Sequence, residues 1–282
     1  YITSAYGGGN IINNIPKIIK VSGPFNIERC TAAFNKLIDR HESLRTSFDV
    51  VNGDAVQMIM PAANLQISEL NGADDIEELV ESFIQPFDLK SPPLLRAGVQ
   101  KISDEEHLLI FDMHHIISDG FSLSIFLKEF IALYDGMELP PLSIQYKDYS
   151  EWQKYHYFQS ERFRTQENYW KNMFEEETKA LQMPTDYPRV KEQISKGKQI
   201  QFVLSQETTN KIKERLTETS TTLYVFLLAA YNVFLFKYTG EQDITVGTAV
   251  AGRQHPDLRN VLGMFVNILA LRNYPKGNNR FS

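Results

Sequence analysis

Apolar and polar positions change period several times along the chain, and each change marks an element. Ile15 to Val21 has the composition of a strand and stops at Ser22-Gly23-Pro24. Ile27 to His41 carries Ile27, Ala32, Phe34, Leu37 and Ile38 at the spacing of one helix face. Arg45 to Val51 and Ala55 to Met60 flank Asn52-Gly53, a strong hairpin signal. A short acidic helix is predicted from Asp74 to Phe83, and strands at Leu94 to Ile102 and His107 to His115 around a turn at 103–105. Phe121 to Tyr134 is apolar nearly all round, so it reads as a buried helix. Tyr146 to Phe174 reads as a polar helix with interleaved aromatics.

The texture then changes. Met183-Pro184-Thr185-Asp186-Tyr187-Pro188 cannot continue a helix, and Lys191 to Lys198 is charged and loop-like. A boundary is placed in this region, with one subdomain over residues 1–175 and a second over 176–282. In the second, Ile200 to Leu204, Ile244 to Ala249 and Val266 to Leu271 read as strands. Gln206 to Glu218 and Leu223 to Tyr238 read as helices, the latter capped by the Ser and Thr residues at 219–222. Mixed helices and strands around hairpins give an α/β class with a largely mixed sheet.

Composition narrows the setting. Of the 282 residues 43% are hydrophobic and 23% charged, as in ordinary globular domains. A net charge of -6 without basic clusters argues against binding nucleic acid. The most apolar run, Leu223 to Phe236, is interrupted by Asn232 and falls short of the ~20 residues a membrane span needs, so it is expected to be a buried core helix, with no membrane partner. Cys30 is the single cysteine, which excludes an internal disulfide and fits a reducing, cytoplasmic setting. Its place in a helix reads as a small buried side chain. The chain opens at Tyr1 with no basic or apolar leader, so it reads as the middle of a longer protein.

The segment with candidate chemistry is Met113-His114-His115-Ile116-Ile117-Ser118-Asp119-Gly120-Phe121-Ser122, where a strand ends and a helix begins. Backbone N–H groups at a helix start are unpaired and can meet developing negative charge. Along a strand His115 would share a face with Leu109, Phe111 and Met113, and His114 would point the other way. Taken alone, such a pair is more often structural. A metal is not expected, because adjacent strand histidines do not chelate one ion and no cysteines complete a site. No Gly-x-Ser-x-Gly elbow is present for a hydrolase. His41-Glu42-Ser43-Leu44-Arg45 has arginine where a zinc-protease motif needs its second histidine, and Gly7-Gly8-Gly9 lacks the lysine of a phosphate loop. Asp119 is either a buried acid in need of a cationic partner or, with Ser118, a plain helix N-cap.

His114-His115-x-x-x-Asp119-Gly120 resembles the core motif of the condensation domains of nonribosomal peptide synthetases. Arg40-His41-Glu42-Ser43-Leu44-Arg45-Thr46-Ser47-Phe48 resembles a second family motif. Tyr146-Lys147-Asp148-Tyr149-Ser150-Glu151-Trp152 resembles a third, with Ser150 where alanine is common. Leu262-Gly263-Met264-Phe265-Val266-Asn267-Ile268 resembles a fourth, with Ile268 for the usual threonine. All four occur in the family's order, while its opening and last motifs are absent. The resemblance implies a fold like chloramphenicol acetyltransferase, two similar subdomains in a V with the second truncated here, and a substrate tunnel at their interface. It makes His115 the catalytic residue, supported by His114, Asp119 and Gly120. It pairs Asp119 with Arg253 across the two subdomains, gives Arg40 and Arg45 structural roles, and places Ser118 and Asn267 by the tunnel. No cofactor is bound directly. Substrates arrive on the phosphopantetheine arms of donor and acceptor peptidyl carrier domains, and an adenylation domain of the same synthetase adjoins.

The implied reaction is attack of an acceptor amine on a donor thioester. Alignment of two tethered reactants contributes roughly 7–11 kcal/mol. An α-amine titrates near ~8 and an imidazole near ~6.5, so His115 either takes the amine's proton or orients it. An epimerization domain of the same superfamily and a non-catalytic, partner-recruiting relative are the alternatives. Arg40 to Arg45 and Asp119 to Ser122 resemble the condensing type, and the intact histidine pair argues against a non-catalytic relative. Heterocyclization domains carry aspartates where this chain has its histidines. The chain by itself is expected to be inactive, because its motifs stop at Asn267.

Overall fold

A computed structural model of the chain describes residues 11–71, 75–188 and 199–277. Gly7-Gly8-Gly9, Asp74 and the charged stretch 191–198 lie outside the described residues. The chain divides into two compact units, Tyr1–Phe163 with Ala251–Asn267, and Arg164–Val250 with Ile268–Ser282.

The first unit is built on a four-stranded sheet in the order β1, β6, β5, β4. β1 (Asn14–Ser22), β6 (Glu106–His114) and β5 (Leu95–Ser103) are antiparallel, and β4 (Ile67–Glu69) lies parallel to β5. β6 is central, and all its residues after Glu106 are buried, which is why Leu108 to Phe111 reads as an apolar run without alternation. α1 (Ile27–Arg40) covers one face, starting where the Asn26 side chain accepts from the Arg29 N–H. Its buried stripe is Cys30, Ala33, Phe34, Leu37 and Ile38. The Phe34 ring meets Phe111 of β6 and, on α3 (Gly120–Tyr134), Phe126 and Phe130. Burial pushes the Cys30 thiol up to about 12, which keeps it inert. β2 (Thr46–Val51) and β3 (Asp54–Ile59) form the hairpin at Asn52-Gly53, and α2 (Ile76–Phe83) is capped by Asp75.

α3 departs from the sequence expectation, because it is buried along one stripe and not all round. Ser122, Ile125, Phe126, Glu129 and Phe130 face inward, while Phe121 and Ile131 are exposed. The inward Glu129 accepts from Arg40 Nε at 3.0 Å and lies 2.7 Å from His41 Nε2. Burial alone would raise the Glu129 carboxyl, but the bonds from His41 and Arg40 hold it below its usual value. The single helix predicted over Tyr146 to Phe174 is broken into α4 (Tyr146–Trp152), a wider turn at Gln153–Tyr157 and α5 (Glu161–Met173). Ser160 is the reason. Its hydroxyl accepts from the Phe163 N–H and starts a new helix.

The second unit contains most of α5, then α6 (Gln206–Thr219), α7 (Leu223–Thr239) and a two-stranded sheet of β7 (Ile244–Val250) and β8 (Asn267–Asn273). Arg272 closes that sheet on Asp243 at 2.6 Å. Two sequence expectations fail here. Ile200 to Leu204 is not a strand, and Phe202 and Val203 are 82% and 95% exposed. A strand's backbone groups are satisfied by a neighbouring strand, and none pairs with this run among the described residues. α7 forms with its Thr222 cap, yet it is not a buried core helix. Only Asn232 and Leu235 are buried, and Tyr224, Leu227, Tyr231, Phe234 and Tyr238 are exposed. No single helix among the described residues is long and apolar enough to cross a membrane.

Glu129 neutralises Arg40 and accepts from His41 in a buried setting, and its removal strands both partners. Glu129→Ala is expected to cost about 3–5 kcal/mol, measured by chemical denaturation, because breaking one partner of a buried ion pair leaves an uncompensated charge. An unchanged unfolding midpoint would contradict this account of the cluster.

Candidate active site

β6 ends at His114, and a tight 3-10 turn over His115–Ile117 leads to the N-cap of α3 at Asp119. His115 therefore does not belong to the strand, and the predicted alternation does not set its direction. The turn does. The His115 N–H donates to Asn13 O at 2.7 Å, and the His115 carbonyl accepts from the Ser118 N–H at 3.4 Å. His114 stabilises the turn, since its Nδ1 accepts from the Ile116 N–H at 3.0 Å. Burial pushes the His114 imidazole down to about 4, so it is neutral at pH 7 and free to accept that bond. His115 is half-buried, and its Nδ1 is buried with no hydrogen-bond partner among the described residues.

The α3 N-terminus sits on a second set of contacts. Asp119 is 1% exposed. Its Oδ1 accepts from the Ser122 N–H at 2.7 Å and from Arg253 Nη2 at 3.3 Å, and its Oδ2 accepts from the Phe265 N–H at 3.0 Å. Burial alone would raise this carboxyl, but the donors of Ser122 and Phe265 and the Arg253 charge hold it below the usual carboxylate range. Asp119 is thus both cap and ion-pair partner. The expected pair forms, and it lies within the first unit, where the Ala251–Asn267 segment meets α3.

Arg253 is held through both Nη groups, while its Nε is buried without a partner among the described residues. Its Nη1 donates to Leu258 O and Val261 O, and its guanidinium lies 4.0 Å from the Phe265 ring centre. Gly252 before it has φ +67, and a Cβ there would fall 2.0 Å from Phe265 O, so only glycine fits. Ser122, which the sequence left out of the site, is central. It accepts from Arg253 Nη2 at 2.6 Å and from the Gly263 N–H at 3.1 Å, and it donates to Gly263 O at 2.8 Å. Tyr146 was also missed. Its hydroxyl donates to Met264 O at 2.8 Å, and its ring packs where a Cβ on Gly263 would lie. A signal for Ser122 existed in its position three residues past a capping aspartate, and Tyr146 opens the third of the motifs, but neither was assigned to the site.

The remaining candidates fall around this centre. Arg40 binds Glu129 and Pro140 O, and Arg45 donates to Ile38 O, Asp39 O and Met60 O. Ser118 is buried, its hydroxyl 3.4 Å from Asp119 O, and Asn267 is exposed at the start of β8. Gly120 is exposed. Its backbone is not in the left-handed region, and a Cβ there would meet nothing within 4 Å, so open space lies in front of it at the helix start.

Comparison with solved structures gives the class first. The chain superposes on the X-domain from teicoplanin biosynthesis with a TM-score of 0.86 at 22% identity, over 98% of this chain and 64% of that one. It also superposes on a four-domain nonribosomal peptide synthetase bound to AMP and glycine, with a TM-score of 0.83 at 23% identity, over 95% of this chain and 21% of that one. The condensation domain from the Monacolin K polyketide synthase MokA gives 0.80 at 23%, over 94% and 63%. The fold is the α/β, chloramphenicol acetyltransferase-like fold of condensation domains. Sequence comparison is narrower. Residues 1–282 match the Condensation domain family model, and the chain belongs to that family. It is 48% identical over 282 residues to gramicidin S synthase 2 of Brevibacillus brevis and 45% identical over 284 residues to bacitracin synthase 3 of Bacillus licheniformis. It spans all of this chain but only 6% and 4% of the length of those proteins.

The Asp119 carboxyl has a folded pKa below its unfolded value. Its contribution to stability is therefore present above the unfolded pKa, near ~3.9, and is lost as pH falls through the lower folded value. Asp119→Asn is expected to lower stability by about 3–5 kcal/mol at pH 7. The gap from the parent should narrow below about pH 4. Denaturation curves of both proteins from pH 7 to pH 3 check this, and a gap that does not change with pH would mean that the carboxylate charge is not what matters.

Proposed function

We propose that this chain is the part of a condensation domain that forms an amide bond between a donor acyl or peptidyl thioester and an acceptor aminoacyl thioester. Both substrates are presented on the phosphopantetheine arms of carrier domains, within a nonribosomal peptide synthetase that also carries an adenylation domain. The observation that carries the reading is the His115 turn. A half-buried imidazole, its Nδ1 buried and without a partner among the described residues, follows the end of β6 in the turn that leads to Gly120, where a Cβ would meet nothing within 4 Å, in a chain that matches the family along its whole length.

In this reaction the acceptor amine attacks the thioester carbonyl, a C–N bond forms, the C–S bond breaks and the thiolate leaves. His115 receives the hydrogen bond of the amine and takes its proton as the C–N bond forms. Asp119 is not its relay partner, because both carboxylate oxygens are engaged by Ser122, Arg253 and Phe265. The Gly120 N–H at the start of α3 faces the developing oxyanion, and the open space beside it admits the thioester. A thiolate is already a good leaving group, so most of the acceleration comes from holding two tethered reactants in line.

The assay uses the synthetase that contains this domain, with separately loaded donor and acceptor carriers. His115→Ala is expected to lower the condensation rate by about 10²–10⁴-fold, the usual worth of a positioned acid–base group, with an unchanged melting temperature. Gly120→Ala should likewise fold normally and condense slowly. Full turnover by His115→Ala would sink the assignment, and inversion of a substrate without elongation would point to epimerization.

A further inference from the structure

The mechanism makes no use of the buried acid on β6. Asp112 lies on β6 two residues before His114 and is 0% exposed. Its Oδ2 accepts from Asn14 Nδ2 at 2.6 Å and lies 3.6 Å from Arg96 Nε, and its Oδ1 is buried with no hydrogen-bond partner among the described residues. Burial pushes this carboxyl up to about 6. A buried carboxylate so incompletely paired is a poor device for stability. Its surroundings give it another use.

Both side-chain partners of Asp112 lead to the histidine turn. Asn14 is the first residue of β1 and pairs with His114 across the ladder. Its side-chain amide also donates to Gln85 O at 2.9 Å. The carbonyl of the preceding residue, Asn13, accepts the His115 N–H at 2.7 Å. On the other side, Arg96 donates to Pro86 O at 3.2 Å and lies 3.8 Å from the centre of the Phe87 ring. The Phe87 ring in turn stands perpendicular to His114, with centroids 6.2 Å apart. One carboxylate therefore anchors both the strand start that holds the His115 backbone and the loop that packs on His114.

We propose that Asn14 and Asp112 are positioning residues for the reaction, fixing the His115 turn through the Asn13 carbonyl on one side and through Arg96 and Phe87 on the other. The proposal rests on the reading of His115 as the reacting residue. Asn14→Ala removes the donor that ties β1 to Asp112, while Asp112→Asn keeps an oxygen that accepts from Asn14.

The test combines two measurements on the intact synthetase. Hydrogen–deuterium exchange of the segment 113–118 reports the His115 N–H bond, and steady-state condensation with loaded carriers reports the chemistry. Asn14→Ala is expected to speed exchange in that segment and to lower kcat by about 10–100-fold, the scale of a small misplacement at a reacting centre, with KM for both loaded carriers unchanged. Asp112→Asn should restrain exchange and retain most of the turnover. Asn14→Ser, a smaller change, decides the matter if the alanine variant does not fold. Parent-like exchange in a folded Asn14 variant would overturn the proposal whatever the activity. Faster exchange with parental kcat would leave the anchor standing and remove His115 from the reaction, so the two readings fail separately.

Discussion

The contact on which the rest of this site depends is the buried pair of Asp119 and Arg253. Two charges that are 1% and 3% exposed at the side chain need each other and further hydrogen-bond partners to stay ionised. Asp119 finds them in the Ser122 and Phe265 N–H groups, and both Nη groups of Arg253 find them in Leu258 O, Val261 O and Ser122 Oγ. The demand for partners is what draws residues 251–267 onto the N-terminus of α3. It also fixes the point at which that helix begins, and hence where the turn carrying His115 must close.

Four separated stretches of sequence are joined by this demand into one network within the first unit. The helix that starts at Asp119 presents Glu129 to Arg40 and His41. Gln145 next to α4 donates to Arg40 O and accepts from the Glu42 N–H, and Lys147 pairs with Glu42 at 2.8 Å. Tyr146 reaches Met264 O, and Gly263 returns the chain to Ser122. Each motif is thus a support for the next.

Three buried acids are treated in different ways. Glu129 and Asp119 are given enough donors to stay charged, and both serve as junctions between elements. Asp112 is given too few, and its carboxyl rises accordingly. The first two belong to the architecture of the unit. The third borders the histidines, where incomplete satisfaction is tolerated in exchange for holding the turn from two sides.

By itself the sequence determined the elements whose signals are local. The Asn52-Gly53 hairpin, the helix that starts at Ile27, the strand that leads to the histidines and the capping role of Asp119 all depend on residues within a few positions of one another. The match of four ordered motifs determined the family. Tertiary structure alone decided the rest. Ile200 to Leu204 has a strand's composition, but pairing needs a neighbour that no local pattern supplies. α7 is as apolar as a core helix, but burial depends on what lies against it. Ser122 and Tyr146 became site residues only when Gly263 and Met264 were brought beside them, across 141 and 118 positions of chain. Local signals act through neighbouring backbone groups, whereas a buried charge takes its partners from wherever in the chain they can reach it.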